Sequence, residues 1–175
     1  MDEWQILNRI LDLRKRQEKS KKFIGALTME IVRNELITRG LIVSNRNVFI
    51  EGISNELDLL ILRPNSTHKE NLLYNPEDVL YCLEIKFRGI YNKSGIETIT
   101  NIFNKINEIN DKIKCTYLTI SERSKRKNRI TKEKLGNKYE CFELFTRNTT
   151  LERALKNNTL KATGDWENFL EMVKN

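Results

Sequence analysis

The sequence predicts an α/β domain in which helices flank a mixed central β-sheet. Two segments, residues 56–62 (ELDLLIL) and 79–87 (VLYCLEIKF), are apolar enough to be interior strands. Amphipathic stretches with helical spacing stand before and after these two segments. Since such helices and strands must bury their apolar faces against one another, this order of elements is typical of a layered α/β architecture.

The first fifty residues predict two helices followed by two short strands. Apolar residues recur at helical spacing over residues 3–15, as Trp4, Leu7, Ile10 and Leu11. A second helix is predicted from about residue 20 to residue 39, and Gly40 is typical of the residue that ends a helix. Residues 41–43 and 48–50 are apolar on both sides of a polar stretch, which predicts a hairpin.

The remaining elements follow in the same way. Residues 63–78 contain both prolines and predict a loop. Residues 95–112 carry isoleucine and phenylalanine at helical spacing, and residues 115–120 and 139–145 predict two more strands. Residues 165–173 predict a final helix.

Length and charge limit the class of protein. A chain of 175 residues fits one domain over residues 1–175, with a helical extension at 1–19, a core at 20–145 and a helical segment at 146–175. No apolar run approaches the roughly 18 residues of a membrane span, and the start lacks the pattern of a signal peptide. We therefore expect a cytoplasmic protein. Its formal net charge of +7 favours a polyanionic partner.

Cysteine and histidine do not predict a metal site or a nucleophilic triad. Cys82, Cys115 and Cys141 are far apart and lie in apolar runs, where a free cysteine acts as a small core residue. The single histidine, His68, falls in a polar loop. Zinc sites need more ligands at closer spacing, and a Ser-His-Asp triad needs a placed histidine.

Strand alternation brings an acid and a base together. One side of residues 81–87 carries only apolar or aromatic residues, namely Tyr81, Leu83, Ile85 and Phe87. Glu84 and Lys86 project with Cys82 from the other side. Charges on so apolar a strand are unfavourable unless they pair or bind an ion. A salt bridge between Glu84 and Lys86 is one explanation.

A metal site is the other explanation, because the preceding strong strand supplies a second carboxylate. Asp58 is the one charged residue within residues 57–62. If the two strands are neighbours, the carboxylates of Asp58 and Glu84 can face a single ion. Two carboxylates, a strand carbonyl and water suit Mg²⁺, which retains much of its hydration in proteins.

The second helix supplies a third candidate acid. Glu30 shares a helical face with three apolar residues, Phe23, Leu27 and Ile37, so we expect its side chain to point inward. Glu35 is the neighbouring candidate, but its face carries two threonines and is less clearly buried.

Asp58, followed by Glu84-Ile85-Lys86 on the next strong strand and preceded by a helix with an inward glutamate, resembles the PD-(D/E)XK nuclease superfamily. This is the restriction-endonuclease-like fold of restriction enzymes, Holliday-junction resolvases and many repair nucleases. The resemblance covers residues 20–145 in element order, and residues 25–40 look like the first core helix of the resolvase-type members. The tripeptide of an acid, any residue and lysine occurs once in the chain, although Leu57 stands where many members have proline.

The resemblance implies a metal-dependent endonuclease. Asp58, Glu84 and the backbone carbonyl of Ile85 would bind Mg²⁺, or Mn²⁺ in its place, to activate water and neutralise a phosphate. Lys86 would position the attacking water and stabilise developing negative charge. Glu30 would bind metal through water or shape a second site.

A basic segment follows the strand that should end near this site. Residues 121–134 include five candidate phosphate-binding residues, Arg123, Lys125, Arg126, Lys127 and Arg129. A merely solvated loop has equal weight, since runs of charge are usually solvated.

The predicted partner is duplex or branched DNA, and a homodimer is expected because duplex cutting commonly pairs two sites. Two alternatives stay open. One is a nucleic-acid-binding module of the same fold that does not cut, and the other is a basic adaptor whose strand charges form an ion pair.

Overall fold

The computed structural model describes residues 1–15, 21–66, 68–69, 72–89, 93–123, 135 and 138–174. Within them the chain forms five α-helices, which are α1 (Glu3–Lys15), α2 (Lys21–Thr38), α3 (Lys93–Ile109), α4 (Leu151–Lys156) and α5 (Asp165–Lys174). The strands are β1 (Ile42–Val43), β2 (Phe49–Ile50), β3 (Leu59–Leu62), β4 (His68–Lys69), β5 (Leu73–Tyr74), β6 (Val79–Arg88), β7 (Lys114–Arg123), β8 (Glu140–Arg147) and β9 (Lys161–Ala162). A mixed sheet flanked by helices confirms the predicted fold class.

Six strands form the main sheet, in the order β1-β3-β6-β7-β8-β9. Strands β6, β7 and β8 are parallel, whereas β1, β3 and β9 pair antiparallel with their neighbours. The predicted interior position of β3 and β6 is confirmed, since neither strand lies at an edge.

The predicted hairpin of residues 41–43 and 48–50 is wrong. Strand β1 pairs with β3, and β2 joins a separate three-stranded sheet with β5 and β4. Asn47 adopts a left-handed conformation (φ 58°), and the next residue, Val48, bridges to Leu57, so the chain turns away from β1. Residues 63–78, predicted as loop, contain β4, β5 and a short 3₁₀ turn at Pro76–Asp78.

The two faces of the main sheet bury separate clusters of apolar residues. Helices α1, α2 and α5 cover one face, where β6 contributes Tyr81, Leu83, Ile85 and Phe87. Helix α3 covers the other face with Ile96, Ile99, Phe103 and Ile106, which pack near Cys82 and Cys115. The predicted alternation along β6 is therefore confirmed, and Cys82 and Cys115 are buried free cysteines.

Helix ends follow the predicted signals. Helix α2 ends at Thr38, and Gly40 behind it has a φ of 84°, a conformation in which a side chain would be strained.

No helix in the described part of the chain combines the length and apolar composition of a membrane span.

Candidate active site

Strand β6 carries an acid and a base on the face that α3 covers. Glu84 and Lys86 alternate with the buried residues Leu83, Ile85 and Phe87. Their side chains keep 15% and 34% of their surface exposed, so they lie at the margin of the core rather than inside it. Both groups are thus partly desolvated and still reachable from solvent.

Asp58 lies immediately before β3 and faces the same site. The antiparallel register pairs Leu59 with Leu83, and its continuation places Asp58 opposite Glu84. The Ile85 amide donates a hydrogen bond of 2.7 Å to Oδ2 of Asp58. This bond fixes the carboxylate against the backbone of β6, where its side chain keeps 17% of its surface exposed.

The Lys86 ammonium bridges the two carboxylates. Its Nζ lies 3.2 Å from Oδ2 of Asp58 and 2.5 Å from Oε1 of Glu84. The two oxygens are therefore no farther apart than the sum of these distances. The structure brings together the three residues that the sequence singled out, and their carboxylates converge on one positive charge.

Burial and charge shift the titration of this group. Burial, and next the Asp58 carboxylate, raise the pKa of Glu84 above its ordinary 4.5, although Lys86 opposes them. For Lys86, burial alone would lower the pKa, but the charges of Glu84 and Asp58 outweigh it and raise the pKa above 10.5. Two partly buried anions held by one cation form an environment that favours additional positive charge.

Helix α2 presents its two glutamates differently from the prediction. The inward orientation expected for Glu30 is wrong, because its side chain is 40% exposed and pairs with Arg46 (3.1 Å) and Arg33 (3.8 Å). Glu35 is the buried acid, and it pairs with Arg39 at 3.1 Å and with the Met1 amino group.

Glu30 nevertheless stands at the end of the sheet where Asp58 lies. Its partner Arg46 precedes Asn47, whose amide donates to the Asp58 carbonyl at 3.3 Å. Arg46 also donates to the carbonyl of Ala26 on α2 at 2.9 Å. The Glu30–Arg46 pair thus ties α2 to the loop before β3 and supports the backbone next to Asp58.

A buried hydroxyl lies beside the lysine. Thr119 of β7 is the register partner of Lys86, so both side chains leave the sheet on the same face. Thr119 is 1% exposed, and within the described residues its hydroxyl has no hydrogen-bond partner. Only the register of β6 with β7 places Thr119 next to Lys86, and this register could not be read from the sequence.

The predicted phosphate-binding residues lie largely beyond the described part of the chain. Lys125, Arg126, Lys127 and Arg129 are outside it, and Arg123 is the last residue of β7. Sequence reasoning missed Arg88, the last residue of β6. The alternation of Glu84 and Lys86 continues to Arg88 and could have identified it.

Metal-binding capacity rests on a small donor set. Among the described residues, no group of three His, Cys, Asp or Glu side chains is placed to hold a metal ion. Asp58 and Glu84 supply two carboxylates, a number that suits Mg²⁺, which is usually bound by one or two carboxylates and several waters.

A cavity of about 330 Å³ lined by Leu80, Tyr81 and Lys114 lies at the opposite end of β6.

Known proteins show similarity in fold but not in sequence. No protein-family model and no curated protein matches this chain. Two solved structures resemble it, NucC from P. aeruginosa and NucC from E. coli, both in cAAA-bound form. Each is 14% identical, with a TM-score of 0.54, and the match covers 69% of this chain but only 60% of the NucC chain.

NucC has the restriction-endonuclease-like fold, so this likeness confirms the predicted fold. This chain spans about three fifths of the NucC chains.

Proposed function

We propose that this protein is a Mg²⁺-dependent endonuclease that hydrolyses DNA phosphodiester bonds, with Mn²⁺ able to replace Mg²⁺. One observation carries the proposal: Asp58, directly before β3, and Glu84 of β6 converge on a single cation, the Lys86 ammonium. The restriction-endonuclease-like fold supports the same proposal, because Asp58 followed by Glu84-Ile85-Lys86 resembles the motif that the sequence analysis identified for that fold.

The residues present fit a small divalent ion. Asp58 and Glu84 would hold it through their carboxylates, and burial, followed by the charge of Asp58, already raises the pKa of Glu84. The Ile85 amide points at Asp58, and the carbonyl of a strand residue points to the same edge as its amide. Strand β3 starts only at Leu59, so we expect the Ile85 carbonyl to face the site beside Asp58.

Lys86 has two roles in this proposal. Without metal its ammonium pairs with both carboxylates, offsets part of their negative charge and keeps them in place. Mg²⁺, when bound, would lower the pKa of the attacking water and offset charge on the phosphate. The Lys86 ammonium would donate a hydrogen bond to the attacking water or to a phosphate oxygen, where negative charge develops. Its raised pKa keeps it protonated at neutral pH.

DNA is the proposed substrate because of charge. The net charge of +7 favours a polyanion, and phosphate contacts by lysine and arginine provide most sequence-independent affinity. The described part of each chain carries one such site, and cutting of both DNA strands commonly pairs two sites, so we propose a homodimer. Sedimentation of the protein with and without duplex DNA measures this state.

Cleavage of supercoiled plasmid DNA tests the proposal. The protein is incubated with Mg²⁺, with Mn²⁺ or with EDTA, next to the variants Asp58→Asn, Glu84→Gln and Lys86→Ala. We expect metal-dependent nicking or linearisation that falls by about 10²-fold or more in each variant. Asp111→Asn is the matched control, since Asp111 is an exposed aspartate outside the site.

The alternatives give different results in the same experiment. DNA binding without cleavage under every metal would favour a non-catalytic nucleic-acid-binding module. Absence of both binding and cleavage would favour a basic protein in which Asp58, Glu84 and Lys86 form a structural ion-pair network. Cleavage retained by Glu84→Gln would refute the assigned site.

A further inference from the structure

We propose that Glu152 of α4 occupies a phosphate-binding position formed by Arg88 and Arg14, and that the nucleic-acid backbone displaces its carboxylate when it binds. Arg14, Arg88, Arg147 and Glu152 are called the Glu152 cluster below. The inference rests on the proposed function only for the choice of nucleic acid as the ligand.

One carboxylate oxygen joins two arginines from distant parts of the chain. Oε1 of Glu152 accepts a hydrogen bond from Nη2 of Arg88 at 3.1 Å and lies 3.7 Å from Nη1 of Arg14. The three side chains keep 57%, 49% and 30% of their surface exposed, in the order Glu152, Arg88 and Arg14. Ion pairs this exposed contribute little to stability, so folding alone gives weak reason for this arrangement.

A third arginine adds positive charge to the cluster. Arg147 of β8 is only 6% exposed and donates to the Ser121 hydroxyl (2.7 Å) and to the Thr149 carbonyl (2.5 Å). These bonds fix the guanidinium near the end of the parallel strands. Arg147 thus adds its charge to those of Arg88 and Arg14 around the Glu152 carboxylate, and this positive surrounding favours an anion at that position.

The carboxylate of Glu152 stays ionised under ordinary conditions. A hydrogen bond from its own backbone amide, and then the charges of Arg88, Arg14 and Arg147, lower its pKa below 4.5 despite partial burial. A phosphodiester carries the same single negative charge and offers oxygens to the same guanidinium groups. Exchange of one anion for the other therefore preserves the charge balance of the site.

Position connects the Glu152 cluster to the proposed chemistry. Arg88 lies two residues beyond Lys86 on β6, a distance of about 7 Å along the strand. A backbone phosphate bound by Arg88 would lie near the one that Lys86 contacts. The arginine would thus hold the strand beside the phosphate that is cut.

Binding of a fluorescein-labelled DNA duplex in EDTA tests this inference without cleavage. Fluorescence anisotropy is measured between about 50 and 200 mM salt for the natural protein, Glu152→Gln and Arg88→Gln. We expect Glu152→Gln to tighten binding about threefold or more, because it removes a competing anion. We expect Arg88→Gln to weaken binding about fivefold or more and to reduce the salt slope by about 1.

Arg153→Gln is the matched control, because Arg153 is the exposed neighbour of Glu152 on α4, and it should change binding less than about twofold. Thermal unfolding of each variant checks that the fold is unchanged.

A purely structural ion pair predicts a different result. Glu152→Gln and Arg88→Gln would then alter binding in the same direction or not at all, which would overturn the inference. The same holds if the natural protein does not bind the duplex, or if about 10 mM inorganic phosphate abolishes binding, which would indicate a site for free phosphate. Intact binding with opposite shifts, but no cleavage with any metal, would refute only the proposed activity.

Discussion

Replacement of Lys86 by methionine tests the electrostatic account of the site most directly. The variant keeps most of the side-chain volume but leaves the carboxylates of Asp58 and Glu84 facing each other without a cation. Removing one partner of a buried pair costs about 3–5 kcal/mol, whereas exposed pairs contribute about 0–1 kcal/mol. Lys86 is 34% exposed, and solvent screening therefore reduces the expected loss to about 2 kcal/mol, or about 4–8 °C in Tm.

The loss should depend on pH in a defined direction. The folded-state pKa of Glu84 lies above 4.5, so its contribution to stability is full below 4.5 and is lost as pH rises through the raised value. Lys86 opposes that rise, and its removal raises the pKa of Glu84 further. The difference between Lys86→Met and the natural protein should therefore be larger at about pH 8 than at about pH 5.

Thermal unfolding by circular dichroism at both pH values, with and without Mg²⁺, measures these effects. A divalent ion at about 100 times its Kd adds about 2.7 kcal/mol of stability, which should recover much of the loss in the variant. Lys105→Met is the control, since Lys105 is an exposed lysine on α3. Equal stability of Lys86→Met and the natural protein at both pH values would refute the reasoning.

Three further outcomes are expected. Thr119→Val should leave the free energy of unfolding unchanged or raise it by about 1 kcal/mol in urea titrations. The reason is that a methyl group replaces a buried hydroxyl that has no hydrogen-bond partner among the described residues. A loss above about 1 kcal/mol would contradict this. Thiol labelling of the native protein should modify Cys141 and spare Cys82. A hydrogen bond with Cys115 and burial raise the pKa of Cys82, which makes its thiol less reactive. Rapid labelling of Cys82 would count against the structure. Tyr81→Phe should lower the free energy of unfolding by about 1 kcal/mol, because its hydroxyl donates to the Met172 carbonyl at 2.7 Å; an unchanged urea midpoint would argue against that bond.

Much of the site was predictable because β-strands have a two-residue period. Alternation placed Glu84 and Lys86 on one face of β6, and the apolar run that follows Asp58 predicted its interior neighbour β3. These features depend on local patterns, which a single sequence contains. The sequence left open whether the two strands are neighbours, and the structure supplies their antiparallel pairing.

The interpretation of α2 failed for a physical reason. Its buried face is formed by Thr28, Ile31, Val32, Glu35 and Leu36. Because two of these residues are polar, a search for apolar residues at helical spacing does not identify this face. Glu35 is stabilised there by Arg39, one helical turn later, and by the Met1 amino group, a long-range partner that no helical offset reveals.

Other errors concern partner choice and length. The hairpin of residues 41–50 was inferred from sequence proximity, whereas the actual partners, β3 and β5, lie later in the chain. Helix α4, with six residues, is too short for a periodic pattern to distinguish it from a turn. The prediction of a helical segment over residues 146–175 consequently did not resolve α4, which carries Glu152, as a separate helix.

Both margins of the described main sheet are formed by strands of two residues, β1 and β9. Such brief margins offer an incoming extended chain only a few unsatisfied backbone groups, and Lys161 places a charge on one of them. An aggregate that grows by adding β-strands therefore has few backbone groups to pair with at these two edge strands. The concentrated protein should resist conversion to fibrils, even though its central strands are strongly apolar.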